Sequence, residues 1–240
     1  MNRSELTPAM EDYLKTAYLL RERGDEVTVL ALGSALEVTA PSVTNMVKKL
    51  AGLGLVRHTP YKNIDLTPGG EAVALELVRH HRLLELYLTE FLGMSWETVH
   101  AEADRLEHHI SEDLEERLAA RLGQPDRDPH GDPIPSRDLT MPPQEFCRLS
   151  ELALGEQGTV MRLRDQQPGL LQYLGVLGLV PGASVRLEAV APFGGVTTIR
   201  VGPAAGIVHT IAGEIAACVL VRPAGPTHVA AAVPFELGSL

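Results

Sequence analysis

Asp104, Glu107 and His108 stand at i, i+3 and i+4 within EADRLEHHI, residues 102–110. On a helix that spacing sets the three side chains on one face. Two carboxylates and an imidazole crowded together repel or bury unpaired charge unless a cation sits among them. Oxygen and imidazole donors on preformed helices suit a divalent metal, because little entropy is lost in ordering them. His100 lies one turn earlier on the same stripe. RHHRLLE, residues 79–85, adds His81 and Glu85 at i, i+4, and Asp12 sits near the start of the first expected helix. The bland alternative is a solvated helix face in which Arg105 pairs with a neighbouring carboxylate. His80 and His109, each beside a better-placed histidine, fit that description. Three separate segments offering ligand pairs weigh toward an ion.

Those side chains need helices to carry them, and helical periodicity is present. Residues 8–22 bring Tyr13, Leu14, Ala17, Tyr18 and Leu20 to helical spacing, with Pro8 in the first turn. Residues 27–69 read as helix, turn, helix and hairpin. TVLALGSALEV has Thr28 as its N-cap; TAPSVTNMVKKL has Thr39 in its turn and Pro41 in its first turn; a two-stranded wing follows around TPYKN. One long helix is expected over 68–93, capped by Thr67, and another over 95–122, capped by Ser95 and broken near Ser111. The long helix has a wide apolar face, from Leu75 through Leu84 and Leu88 to Phe91 and Leu92, more than one small winged domain needs. A homodimer interface is its expected use. Residues 123–138 are rich in Pro, Gly and Asp and must be irregular, so the domain boundary is placed in 123–144. Beyond it GTVMRLRD, ASVRLEAVAP, GVTTIRVG and IAACVLVRP alternate at period two or are rich in Val, Ile and Thr. That is the pattern of a small antiparallel β-barrel, with a short helix inserted in PGLLQYLGVLGLVPG.

The chain has 240 residues, a net charge of −10 and 45% hydrophobic residues, enough for one large domain or two to three small ones with real cores. No run of about 18 apolar residues occurs, and the N-terminus has no signal-peptide run, so no membrane association is expected. Cys147 and Cys218 form no CxxC pair and no disulfide framework, which suggests a reducing, cytoplasmic setting. An acidic chain is no indiscriminate nucleic-acid binder, but here the charge is partitioned. Val38 to Ile64 holds Lys48, Lys49, Arg57 and Lys62 and no acid, while acids outnumber bases about two to one from Glu76 to Asp138. A helix-turn-helix lays its second helix in the major groove of double-stranded DNA. Ser42, Thr44 and Asn45 are candidates for base edges and Lys48 and Lys49 for phosphates, with Thr39 and Pro41 at the helix start; Arg57, Tyr61 and Lys62 of the wing would reach the backbone.

With TPAMEDYLKTAY, TAPSVTNMVKKL, LTPGG, RHHRLLE and DRLEHH in this order and spacing, the chain resembles the diphtheria-toxin-repressor family of metal-dependent transcription regulators, most closely its manganese-transport-regulator branch. GEQGTVMRL and LGLVPGASVRL are similar to the SH3-like domain that many members append. The resemblance covers roughly residues 5–222 and implies an α+β multidomain fold. A winged helix-turn-helix domain would occupy 1–70, a helical metal-binding and dimerisation domain 71–140, an SH3-like small β-barrel 145–222, and a tail 223–240. It implies a primary metal site of Asp12, His81, Asp104, Glu107 and His108. It also implies a second site drawn from Glu85, Asp128, His130 and Asp165, with His100 matching an ancillary ligand of the iron-type branch. Where iron-type members carry a Met and a Cys this chain has Asp12 and Asp104, and oxygen donors suit Mn2+; Fe2+ is the alternative. Lys15 replaces an acid that some manganese-type members use for the second ion of a close pair, which implies a site without that pair.

The expected function is a homodimeric, manganese-dependent repressor that binds a double-stranded DNA operator at metal-uptake genes. The ion would bridge Asp12, beside the DNA-reading helices, to ligands on the dimerisation helices. An enzyme is not expected. A metallohydrolase could use the same donors, but there is no HExxH, GxSxG or phosphate loop, and no general base apart from the ligand set. A winged-helix sensor of a small organic molecule is the other rival, and metal analysis of the purified protein separates it.

Overall fold

A computed structural model of the chain describes residues 6–58, 63–192, 195–203 and 205–225. Tyr61 and Lys62 of the wing, and most of the tail, lie outside the described residues. The fold is α+β and forms two compact units, one of residues up to 128 together with 133–142, the other of 129–132 together with the chain from 143 on.

The first unit opens with helix α1 (Pro8–Arg23), which starts at Pro8 and ends at Gly24, whose left-handed backbone lets its N–H return to Arg21. Its Tyr13, Leu14, Ala17 and Tyr18 are buried. Helix α2 (Val29–Ala35) is capped by the Thr28 hydroxyl, which accepts the Ala31 N–H at 3.1 Å. Helix α3 (Ala40–Gly52) buries Val43, Val47 and Leu50, one residue per turn or so, and leaves its other face to solvent. Strands β1 (Val56–His58) and β2 (Ile64–Leu66) pair antiparallel as the wing, with Val56 opposite Leu66. All of these share one core with the first turns of helix α4 (Pro68–Leu92). Each fully buried Leu there contributes about 1.5–3 kcal/mol. At the start of α4 the Thr67 hydroxyl accepts the Gly70 N–H and donates to the Gly54 carbonyl at 2.7 Å. A Cβ on Gly70 would lie 2.0 Å from the Leu55 carbonyl oxygen, so glycine is what allows α4 to begin against the wing.

The helix expected over 95–122 with a break near Ser111 is formed as two pieces, α5 (Val99–Leu106) and α6 (Glu112–Arg121). Ser95 opens a turn, accepting from Thr98 and Val99 through its carbonyl, and regular helix begins only at Val99. The break falls at Ile110–Ser111, where the Ser111 hydroxyl accepts the Leu114 N–H and caps α6. This hairpin covers α4: Leu84 packs with Ala103 and Leu118, and Leu83 with Ala119 and Ile134. The apolar excess of α4 is therefore largely used within the chain, leaving Phe91 and Leu92 exposed at 39% and 62%. The dimer expectation loses that surface argument and stands instead on family evidence given below. Segment 123–142 is irregular, pinned by Arg79, which donates to the Pro135 carbonyl at 2.6 Å, and Arg82, which donates to the Pro133 carbonyl.

The second unit is a six-stranded antiparallel sheet in the order β3-β8-β4-β5-β6-β7. Its strands are β3 (Cys147–Arg148), β4 (Gln157–Leu163), β5 (Ser184–Val190), β6 (Val196–Val201), β7 (Ile207–Ala212) and β8 (Val219–Pro223). Helix α7 (Pro168–Val176) is inserted after β4 and helix α8 (Gly213–Cys218) after β7. IAACVLVRP is thus not one strand: Ile215–Cys218 are helical and the strand begins at Val219. β7 went unnoticed in the pattern because, as an edge strand, it keeps only Ile211 buried and shows no alternation. Among the described residues no helix is long and apolar enough to cross a membrane.

Candidate metal centre and nucleic-acid interface

Helix α1 packs on α4 and α4 on α5. α1 presents Asp12 and Lys15 one turn apart, α4 presents His81 and Glu85 one turn apart, and α5 presents His100 and Asp104. Glu107 and His108 lie just beyond the end of α5. The Glu107 N–H still reaches the Ala103 carbonyl at 2.9 Å, so the helical spacing of Asp104, Glu107 and His108 survives the end of the helix.

Within the first unit two triads of donor atoms adjoin, each within 4.8 Å: Asp12, Glu107 and His108, and His81, His100 and Asp104. In the first, His108 Nε2 lies 3.0 Å from Asp12 Oδ1 and 3.7 Å from Glu107 Oε1. In the second, His81 Nδ1 lies 3.3 Å from Asp104 Oδ1, and His81 Nε2 lies 2.9 Å from His100 Nδ1. Glu85 joins the second triad, with Oε1 2.9 Å from His81 Nε2 and 3.0 Å from His100 Nδ1. Glu107 links the two, with Oε2 2.5 Å from His81 Nδ1.

Lys15 enters between the triads. Its ammonium donates to Asp104 Oδ1 at 3.0 Å and to the Glu107 carboxylate at 2.7 and 2.9 Å. It also stands 3.1 Å from His81 Nδ1, which itself lies against Glu107 Oε2. Burial pulls the His81 pKa down, as does Lys15, but the carboxylates of Glu85, Asp104 and Glu107 prevail and hold it up at about 10. Asp104 is held well below the usual carboxylate range: burial opposes this, but the His81 hydrogen bond and the Lys15 charge outweigh it. Burial raises Asp12, with Glu107 adding to it and His108 and Lys15 opposing.

Of the residues assigned to a second site, Glu85 is buried on α4 and belongs to the His81 group, and Asp128 is buried with Arg82 Nε 4.0 Å from its carboxylate. His130 and Asp165 belong to the second unit. There the His130 carbonyl accepts the Leu163 N–H, and the Asp165 carboxylate accepts the Gln167 N–H ahead of α7.

Sequence reasoning passed over two partners of the site. Glu11, adjacent to Asp12 and buried, lies 2.7 Å from His108 Nδ1, so the two acids of one dipeptide address the two nitrogens of one ring. A carboxylate behind a ligating histidine fixes its orientation. His80, set aside as bland, lies 3.1 Å from the Glu107 carbonyl through Nδ1 and 3.0 Å from Glu115 through Nε2, tying the ligand turn to α6. Adjacent acids in MED were the available signal for Glu11; none pointed to the pairing of His80 with Glu115, which is 35 residues away.

On α3, Pro41, Ser42, Asn45, Lys48 and Lys49 are exposed along one side, and Thr39 before it and Arg57 on the wing are exposed too. Thr44 is partly buried and its hydroxyl donates to the Ala40 carbonyl at 2.9 Å, which leaves it only acceptor capacity toward DNA. The Thr39 and Ser42 hydroxyls bond to each other at 3.0 Å.

Carboxylate and imidazole donors from three helices, with no thiol or thioether among them, fit a divalent ion of hard to intermediate character. The comparisons with known proteins agree. Residues 5–64 match the iron-dependent-repressor N-terminal DNA-binding domain, 67–136 the iron-dependent-repressor metal-binding and dimerisation domain, and 147–223 the FeoA domain. The iron-dependent repressor IdeR of Mycobacterium tuberculosis is 36% identical over 211 residues, covering 83% of this chain and 91% of that protein. The diphtheria toxin repressor of Corynebacterium glutamicum is 35% identical over 157 residues, 63% of this chain and 69% of that protein. A manganese-dependent transcriptional repressor solved in complex with manganese is 36% identical and superposes with a TM-score of 0.82 over 89% of this chain and 99% of that one. Helix-turn-helix, dimerisation and SH3-like parts thus occur in the order and number of these regulators, and the chain belongs to the diphtheria-toxin-repressor family of metal-dependent, DNA-binding transcriptional repressors.

Proposed function

We propose that this chain is a manganese-dependent repressor of metal-uptake genes, acting in the cytoplasm as a homodimer. The supporting observation is that Asp12 lies 3.0 Å from His108 while its own helix shares a core with α3. A residue of the DNA-reading domain and residues of the α4–α5 hairpin therefore address one another directly. Asp12, Glu107 and His108 would hold the ion, with His81 and Asp104 alongside. Bound there, a divalent ion supplies the positive charge that draws these carboxylates together. Glu11 orients His108, and His80 with Glu115 fixes the Glu107 backbone. With α1 held, the two α3 helices of a dimer keep the separation that neighbouring major-groove half-sites require. The ion acts only so far as it favours that arrangement over others.

Manganese is supported by the oxygen donors of Asp12 and Asp104 and by the likeness to the manganese-bound repressor. The second reading, an iron(II)-dependent repressor, is supported by the relatives named for iron. DNA from the promoter of a metal-uptake gene, titrated anaerobically with Mn2+ or Fe2+, separates them. Tight binding is expected only with metal, and at lower free Mn2+ than Fe2+. Equal binding in chelator would defeat the metal-dependent reading. Within the metal-loaded complex, Lys48→Ala is expected to weaken binding evenly across DNA sequences and to reduce the salt slope by about one. An unchanged slope would take Lys48 off the phosphates.

A further inference from the structure

The ammonium of Lys15 is the unusual guest of this cluster. It is 10% exposed, carries three donors, and has its contacts on Asp104, Glu107 and His81, groups that the proposed function gives to a metal. Its stem belongs to α1 and its acceptors to α5 and the turn that follows it, so it joins the elements that the ion is proposed to join. Both oxygens of Glu107 are engaged by it. A divalent ion taking Glu107 must displace the ammonium or bind a few ångströms from a like charge, and either is unfavourable. A lysine can yield, since its flexible stem lets the charged end swing out to water.

We propose that Lys15 is a tethered resident cation: its ammonium holds α1 to the end of α5 without metal and competes with the incoming divalent ion for Glu107 and Asp104. The metal-free chain is thereby held partly assembled, and the metal concentration needed for activation is raised. This rests on the metal-dependent reading above.

The test uses the full chain stripped of metal by chelator. Mn2+ is titrated by calorimetry into the parent, Lys15→Met and Lys15→Arg, and metal-free thermal midpoints are recorded. Lys15→Met is expected to bind Mn2+ about tenfold tighter or more, to melt lower without metal, and to gain more on adding Mn2+ than the parent does. Lys15→Arg keeps the charge and should stay on the parent's side in both measurements. A purely structural lysine would give the opposite sign: equal or weaker Mn2+ binding by a folded Lys15→Met overturns the proposal and leaves the metal-dependent reading in place. Should circular dichroism show Lys15→Met unfolded, Lys15→Gln carries the same expectation. No Mn2+ binding by any of these chains would remove the metal-dependent reading and this proposal together.

Discussion

Glu107→Ala is expected to destabilise the metal-free chain by about 3–5 kcal/mol, the range for removing one partner of a buried ion pair, and to abolish high-affinity Mn2+ binding. Glu107 is 1% exposed and receives both Lys15 and His81. Without it two cationic groups face each other inside the helical cluster, with Asp104 and Glu85 left close by to answer them. His81 can respond by shedding its proton and Lys15 by moving toward Asp104, so the lower end of that range applies if both relax. Urea unfolding in chelator measures the first effect and calorimetry the second. A Glu107→Ala chain as stable as its parent would mean that the ammonium and imidazolium are not held as described.

Asp12→Ala is expected to leave stability nearly unchanged and still to remove the metal response. Asp12 is 42% exposed at the side chain, with His108 Nε2 3.0 Å from its Oδ1. One end of this pair is open to solvent and His108 keeps Glu11 on its other nitrogen, so the loss should stay within about 1 kcal/mol and the metal-free midpoint should move little. The metal-dependent gain in DNA affinity should nevertheless vanish, a loss of about 5- to 150-fold if the coupling has the usual size. Fluorescence anisotropy of labelled promoter DNA, with and without Mn2+, reads it. Retention of the full gain by Asp12→Ala would mean that α1 is not tied through this residue. The two variants together separate a group that holds the fold from one that only transmits.

Legibility in the sequence followed the range of the physics. Local signals worked: Thr28 and Thr67 cap helices through their hydroxyls, the helical run breaks at Ser111, and the apolar stripe of α3 is buried as its spacing demanded. The helical Ile215–Cys218 reads as strand because a short apolar run suits helix or strand alike and tertiary context decides, while Ser95, a plausible cap by residue type, opens a turn before the helix that starts at Val99. The wide face of α4 suggested a missing partner because periodicity counts apolar residues but does not reveal what covers them. At the site, spacing marked Asp104, Glu107 and His108 as sharing a face. It did not mark Glu11 or the pairing of His80 with Glu115, contacts made between segments 35 to 97 residues apart. Lys15 was visible as an exchanged charge, but its place among the carboxylates needed three dimensions.

Helix α1 has two sides with different duties. Asp12 and Lys15 face the acidic cluster, while Leu14, Ala17 and Tyr18 are embedded in the core that also holds Val43 and Val47 of α3. A close-packed interior deforms little and passes displacement on. α1 thus behaves as a stiff lever: an ångström of travel at the acidic end arrives at the reading helix as motion of similar size, with little play in the linkage. Its response time is that of a rigid body shifting, on the order of microseconds to milliseconds, with no step of refolding in between.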